Sequence, residues 1–347
     1  MRAFYHPDQA LHDPRQFMRA GRIDTPKDLP VRTEKFLGAL QHLGITIEAP
    51  TEHADAARAA VHTPGFLRYL ETAWDRWQQL PGHGIEVWPN TFPYWSGRPE
   101  QAARPDCPAE HIIAQTGWYL GDLSVSLGPY SWTSIRASSD TVAAAADAVI
   151  AHRAPAYALC RPSGHHARSD RATGFCFLNN TAIAAQRLRS TFGRVAILDV
   201  DAHHGDGTQQ IFYTRSDVFT VSIHADPSNY YPFFTGYAHE RGVGEGEGFN
   251  LNLPLPHGSG GQAMCDAVDR AMDAIARVGA DALVVALGFD AHAQDPIGVL
   301  TLNAPDFGAI ATRVRAAGLP TLIVQEGGYA IDVLADCLIA FIDQVRR

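Results

Sequence analysis

Two short runs of this sequence hold a high density of groups that bind cations or move protons. Residues 199–207 read DVDAHHGDG and supply Asp199, Asp201, His203, His204 and Asp206. Residues 288–296 read GFDAHAQDP and supply Asp290, His292 and Asp295. Asp201 and His203 are two positions apart, so extended backbone points both side chains the same way. Asp290, at the end of another apolar run, can add a third ligand. Two carboxylates and one imidazole leave a coordination position open for water, which is the logic of catalytic zinc, although iron or cobalt accepts the same set. Asp and His also cap ordinary loops after strands. A buried acidic cluster without a cation is costly, however, and that favours the metal reading for Asp201, His203 and Asp290 together.

A third run, RPSGHHA at 161–167, carries the adjacent pair His165 and His166. Hydrolysis of an amide needs a group to take a proton from water and a group to return one to the leaving amine. Two histidines can do both if their partners tune them differently. Asp199 and Asp206 are available as those partners, since a carboxylate behind an imidazole fixes its tautomer and orientation. A fourth run, QEGGY at 325–329, ends in Tyr329. Its two glycines let the chain turn tightly and bring the phenol near the metal. There its O–H can polarise a carbonyl and stabilise an oxyanion. Other chemistries lack support. GVGEGEG at 242–248 is not a GxGxxG opening a helix, and no GK[ST] follows it. No GxSxG presents a serine nucleophile.

These residues follow short apolar, β-branched runs. The strands expected are Tyr157–Cys160, Val195–Val200, Val218–Ile223, Ala282–Leu287 and Thr321–Val324. Continuous apolar runs of this kind suit parallel strands covered on both faces. The helices expected between them are Thr141–Ala151, Thr181–Thr191, Gln262–Val278 and Asp306–Ala317, with Gly193, Gly279 and Gly318 as stop signals. Such alternation predicts an α/β fold with a mostly parallel sheet and helices on both sides. In open α/β sheets ligands bind outside the carboxyl ends of the strands, where these side chains cluster. The first third shows no such alternation, only helices expected at Arg32–Leu43 and Pro64–Trp77. A Pro-, Gly- and Trp-rich segment then runs from Leu80 to Pro108. A long irregular segment in a compact protein is usually functional or part of an interface.

The 347 residues are 46% hydrophobic, enough for a large core. A net charge of −9 argues against a nucleic-acid partner and suits approach of a small cationic molecule. No apolar run reaches the roughly 18 residues that span a bilayer, so no membrane role is expected. The N-terminus lacks the apolar stretch of a secretory signal. Cys107, Cys160, Cys176, Cys265 and Cys337 form no CxxC pair, and an odd, irregular set predicts reduced thiols in the cytoplasm.

The motifs RPSGHHA, GFCFLNN, ILDVDAHHGDGTQ, VSIH, LGFDAHAQDP and VQEGGY resemble, in order, those of the histone deacetylase superfamily across most of residues 156–330. VHTPGFLRYLETAWDRW at 61–77 and the TFPYWSGRP segment after it make the chain most similar to bacterial acetylpolyamine amidohydrolases. The resemblance implies a three-layer arginase/deacetylase-like fold with an eight-stranded sheet, formed by residues 1–347 as one catalytic domain. It implies one Zn2+ on Asp201, His203 and Asp290, proton transfer by His165 and His166, and carbonyl polarisation by Tyr329. The related arginases hold two metals through a second Asp, where this chain has Asp290-Ala291-His292. It also implies that the Gly174 carbonyl accepts the acetamide N–H. Phe175 matches one aromatic wall of the substrate channel, and Tyr231 the other, where the family usually has Phe. Ile297 stands where the eukaryotic polyamine deacetylase has Glu. Structural K+ is implied at Asp199, Asp201, His203, Ser222 and Ile223, with an outer site at Phe212, Arg215 and Val218. The loop at about 80–110 would lie at the entrance or in a homodimer interface, and Glu100, Asp106 and Glu110 are the acidic candidates near the mouth.

The function expected is zinc-dependent removal of acetyl groups from slender cationic amines, most similar to acetylpolyamines. The rival enzyme reading is a broad acetyl-lysine deacetylase acting on proteins or peptides. A rival of another class is a metal-binding or interaction module without turnover.

Overall fold

The computed structural model describes residues 1–50, 56–93 and 104–347. The five apolar runs all form strands, within two residues of the expected ends. They are β5 (Ala156–Ala158), β6 (Val195–Asp199), β7 (Val218–Ala225), β9 (Ala282–Leu287) and β10 (Thr321–Gln325). Three more strands join them: β1 (Arg2–Phe4), β4 (Ile47–Glu48) and β8 (Asn250–Leu255). The resulting eight-stranded sheet has the order β4-β1-β5-β10-β9-β6-β7-β8, and every pairing in it is parallel. The first third, where no strand–helix alternation is expected, thus supplies two of the eight strands. β1 and β4 are only three and two residues long, too short to show a period; β5 offers β1 an edge, and β1 offers β4 the next one.

Strand side chains alternate between two cores, as the twofold period of a strand requires. Leu283, Val285 and Leu287 of β9 join a core with α1 (Val31–His42), α8 (Gly261–Val278), α9 (Ala304–Ala316) and α10 (Leu334–Val345). Ala282 and Val284 face a second core with α3 (Pro64–Gln78), α4 (Ile112–Tyr119), α5 (Ser131–His152), α6 (Asn180–Leu188) and α7 (Asp206–Phe212). A short helix, α2 (Ala56–Ala59), lies beside α6. Helices thus cover both faces and give three layers. In α8 the buried residues Met264, Ala267, Val268, Ala271, Ala274 and Ile275 recur at helical spacing. The helix stops at Gly279 in the left-handed conformation, as does the chain after α9 at Gly318. Gly193 has no such role, because α6 already ends at Leu188.

α5 begins ten residues before the expected Thr141. Its first half buries small polar side chains that hide the apolar period. Ser134 and Ser138 donate to the carbonyls of Asp8 and Pro162, and Asp140 pairs with Arg58 at 2.6 Å. Outside the main sheet, β2 (Phe17–Arg19) and β3 (Arg22–Asp24) form an antiparallel hairpin. Its turn residues, Ala20 and Gly21, have φ of 50° and 76°. Two successive positive φ values are the hairpin turn that matches strand twist.

Candidate active site

The site residues follow five strands that are neighbours in space, β5, β10, β9, β6 and β7. Asp199 ends β6, and the chain then turns through Asp201 and His203. Asp290 follows β9, the His165–His166 pair follows β5 and Tyr329 follows β10. The ligating atoms of Asp201, His203 and Asp290 all lie within 4.8 Å of one another, and all three residues are buried. His203 Nδ1 is 2.8 Å from an Asp290 oxygen and 3.2 Å from an Asp201 oxygen. Backbone N–H groups hold these carboxylates in place. Gly327 donates to Asp201 Oδ2 at 2.9 Å and Ala202 to Asp290 Oδ1 at 2.7 Å.

The trio's electrostatics ask for a cation. Burial opposes a charge on His203, but Asp290 and Asp201 override it and hold the imidazole at about 9. Burial and the charge of Asp201 push Asp290 up to about 7. Two buried carboxylates crowded on one imidazole are a cluster whose charge a divalent cation would balance. The oxygen-rich donor set, with one imidazole, fits zinc and related ions. A second convergent group, His165, Cys176 and Glu326, fits a metal less well. Both oxygens of Glu326 are engaged, accepting from the N–H groups of Gly164 and His165 and from the Thr181 hydroxyl. Glu326 instead anchors the loop that carries the histidine pair.

The two glycines before Tyr329 serve different ends. A Cβ on Gly327 would lie 2.6 Å from oxygens of both Asp201 and Asp290, so the backbone passes too close for a side chain. Gly328 has φ +115°, which turns the chain toward Tyr329.

Each histidine of the pair has a carboxylate behind it. His165 Nδ1 meets Asp199 at 2.9 Å, and His166 Nδ1 meets Asp206 at 2.8 Å. Arg168 holds the second oxygen of Asp206 at 3.0 Å. The rings sit 4.0 Å apart between centroids, yet they titrate in opposite directions. Burial disfavours charge on His165, but Asp201 and Asp199 hold it well above the usual imidazole range. Burial and the neighbouring positive His165 bring His166 down to about 4. A pair tuned apart in this way can split the roles of proton acceptor and donor. Burial holds the Tyr329 phenol well above its ordinary value, so it remains an O–H donor.

A cavity of about 570 Å³ opens onto these groups. His166, His203, Gly174, Phe175, Tyr231, Ile297 and Tyr329 all line it. Phe175 adopts φ 65°, a rare conformation for a bulky residue, and its ring meets Tyr329 edge to face at 5.7 Å. Tyr231 stands edge-on to His166. The Ile297 carbonyl accepts from the Tyr230 hydroxyl at 2.8 Å. Asp199, at the end of β6, is the cross-strand partner of Ser222 within β7, with Ile223 next along the strand. Phe212, Arg215 and Val218 lie where α7 leads into β7, at the other end of that strand. Glu100 falls outside the described residues. Asp106 pairs with Arg68 at 3.0 Å, and neither it nor Glu110 lines the cavity.

Three residues escaped the sequence reading. Asp122 accepts from the Tyr231 hydroxyl at 2.7 Å and from the Gly174 N–H at 3.1 Å, so one carboxylate holds both walls of the cavity. Its only local signal is the turn it makes with the Ser124 N–H. Tyr230 stacks on the His203 ring at 4.5 Å. Arg32 is buried beneath Tyr329.

The fold and site together bring a buried set of donors suited to a cation to the carboxyl ends of a parallel sheet. The histone deacetylase domain family matches residues 26–345, and the chain belongs to that family. It is a deacetylase. The chain is 44% identical to the acetylpolyamine amidohydrolase of Burkholderia pseudomallei (strain 1710b), over 96% of its own length and 95% of the relative's. It is 38% identical to the acetylpolyamine amidohydrolase of Mycoplana ramosa, over 95% of each chain. The crystal structure of acetylpolyamine aminohydrolase from Burkholderia pseudomallei superposes with a TM-score of 0.92 at 43% identity, covering 99% of this chain and 98% of that one.

Proposed function

We propose that this chain hydrolyses the acetyl amide of slender aliphatic amines of the acetylpolyamine type, with one divalent cation, zinc in the first instance, on Asp201, His203 and Asp290. The observation that carries the reading is the convergence of three buried ligating atoms within 4.8 Å beside a cavity that His166 and Tyr329 also line. A cation held there supplies a Lewis acid for the amide carbonyl and lowers the pKa of water. The remaining chemistry belongs to side chains. Tyr329 donates its O–H to the carbonyl oxygen and stabilises the charge that develops there. His166, kept neutral and oriented by Asp206, takes the proton of the attacking water. The histidine pair returns a proton to the departing amine, with Asp199 holding His165 in register. The Gly174 carbonyl accepts the amide N–H, while Phe175 and Tyr231 flank a straight aliphatic chain, and Ile297 bounds it further out.

The reading includes structural potassium at Asp199, Asp201, His203, Ser222 and Ile223, and at Phe212, Arg215 and Val218. The adjacency of Asp199 and Ser222 supports the first of these. We read residues 1–347 as one catalytic domain, since both cores share one sheet. A homodimer in a reducing cytoplasm completes the reading, and five free thiols support that compartment.

The test compares N-acetylputrescine, N-acetylcadaverine and an acetyl-lysine peptide on the chelated and zinc-reloaded protein. Turnover of the acetyldiamines is expected only after reloading. Preference for the peptide would replace this substrate class with the acetyl-lysine reading. A zinc-loaded sample inert on all three would overturn the enzymatic proposal.

A further inference from the structure

Among the described residues lining the cavity, one carries a carboxylate, Asp122, and one carries a fixed positive charge, Arg19. The two stand in opposite circumstances. Asp122 is partly buried and its oxygens accept from Tyr231, Gly174 and Ser124. Arg19 ends β2 at the exposed tip of the hairpin, and its guanidinium makes no side-chain hydrogen bond or ion pair among the described residues. Its direct cross-strand partner is Arg22, also exposed and without an ion pair among those residues. Cross-strand partners project from the same face, so two guanidinium groups flank the Ala20–Gly21 turn together. Like charges placed directly opposite destabilise a strand pair. The nearest carboxylate on the hairpin, Asp24, is engaged by Lys27 at 3.3 Å and by the Thr25 N–H. Arg19 also acts through space on Asp24, yet the hairpin keeps an excess of positive charge, Arg19 and Arg22 against Asp24, in a chain of net charge −9.

An ammonium reaching that tip is repelled, and a carboxylate reaching it is attracted. On the amidohydrolase reading the acetyl end sits beside His166, His203 and Tyr329, and the far end of a slender substrate reaches toward the hairpin residues that line the same cavity. We infer that Arg19, reinforced by Arg22, is a specificity residue that binds a carboxylate at the distal end of the substrate. The favoured substrates are then ω-N-acetylated diamino acids, with the α-ammonium toward Asp122 and the α-carboxylate toward Arg19. This rests on the amidohydrolase reading above and moves its preferred substrate from the acetyldiamines to the acetylated diamino acids that share their aliphatic chain.

Nδ-acetylornithine and N-acetylputrescine differ only by the α-carboxylate, so the ratio of their kcat/KM values isolates its contribution. The ratio is measured for the zinc-loaded wild type and for Arg19→Ala, Arg19→Glu and Arg22→Glu. Arg19→Ala is expected to move the ratio toward N-acetylputrescine by about fivefold, the upper range of an exposed ion pair, and mainly through KM. Arg19→Glu is expected to move it further, Arg22→Glu in the same direction by less, and added salt to compress all the differences. Because both arginines are exposed, unchanged melting temperatures check the fold. Turnover of both substrates with the same ratio in wild type and Arg19→Glu overturns the assignment of Arg19 alone. Turnover of neither by the wild type overturns the amidohydrolase reading and this inference with it.

Discussion

The guanidinium of Arg32 lies 5.0 Å from the ring centre of Tyr329 and brackets the loop that presents it. Nε donates to the Gly328 carbonyl and Nη2 to the Glu326 carbonyl, each at 2.6 Å, while Nη1 meets Asp28 at 2.6 Å. All of this is buried. Arg32→Ala leaves Asp28 and two carbonyls without this partner and is expected to cost about 3–5 kcal/mol by chemical denaturation. Arg32→Lys keeps the charge but cannot span both carbonyls. It should fold, retain bound metal and lose roughly tenfold in kcat as Tyr329 loosens. Wild-type kcat in Arg32→Lys would show that the bracket does not position the phenol.

Asp206 accepts from His166 with one oxygen and from Arg168 with the other. Asp206→Asn keeps the shape but offers the imidazole a donor or a weaker acceptor, so the tautomer is no longer fixed. A fall in kcat of about 100-fold is expected, with metal content unchanged. Loss of metal in proportion to activity would reassign Asp206 to supporting the ligand set.

Gly327→Ala is sterically specific. The backbone there is not left-handed, so alanine is allowed, but its Cβ would press on oxygens of both Asp201 and Asp290. Metal affinity, read by competition with a chelator, should fall at least about tenfold, the scale seen when groups that orient ligands are lost. Unchanged affinity would mean that the carboxylates shift freely and that the loop does not define the cage.

His62 gives a pH dependence remote from the ligand trio. Its Nε2 accepts from the Asn179 N–H at 2.9 Å and its Nδ1 donates to the Arg168 carbonyl at 3.0 Å, so the ring is needed neutral. Burial lowers it from 6.5 to about 4 in the folded state. The folded protein then binds fewer protons than the unfolded chain between those values. This contribution to stability is complete above pH 6.5 and is lost as the pH falls toward 4. Denaturant unfolding at pH 7.5 and pH 5 should differ by less in His62→Gln than in wild type, by roughly 2 kcal/mol. Identical pH differences in the two proteins would mean that His62 titrates alike folded and unfolded.

The parts of the site legible in sequence are those governed by short-range rules. Spacing by two after a strand paired Asp201 with His203, and strand ends collected Asp290, the histidine pair and Tyr329. What stayed hidden depends on distant contacts. Arg32 reads as one more polar residue on a helix, because the carbonyls that define its role lie almost 300 positions onward. Asp122 sits in a stretch without periodicity, and its task comes from Tyr231 and Gly174. β1 and the first half of α5 lack an apolar pattern because one is too short and the other buries hydroxyls.

The place of β10 in the sheet sets the order in which the chemistry can assemble. This strand, near the end of the chain, lies between β5 and β9 and pairs with both. Until residues 321–325 are in place, the sheet is two separate fragments, β4-β1-β5 and β9-β6-β7-β8. The histidine pair rides on the first fragment, and the trio proposed to bind the cation on the second. A chain synthesised only as far as residue 320 therefore holds every group proposed for hydrolysis but Tyr329, and no strand that joins them. One central strand is the only link through which the sheet brings the two halves of the proposed centre into register, among the described residues.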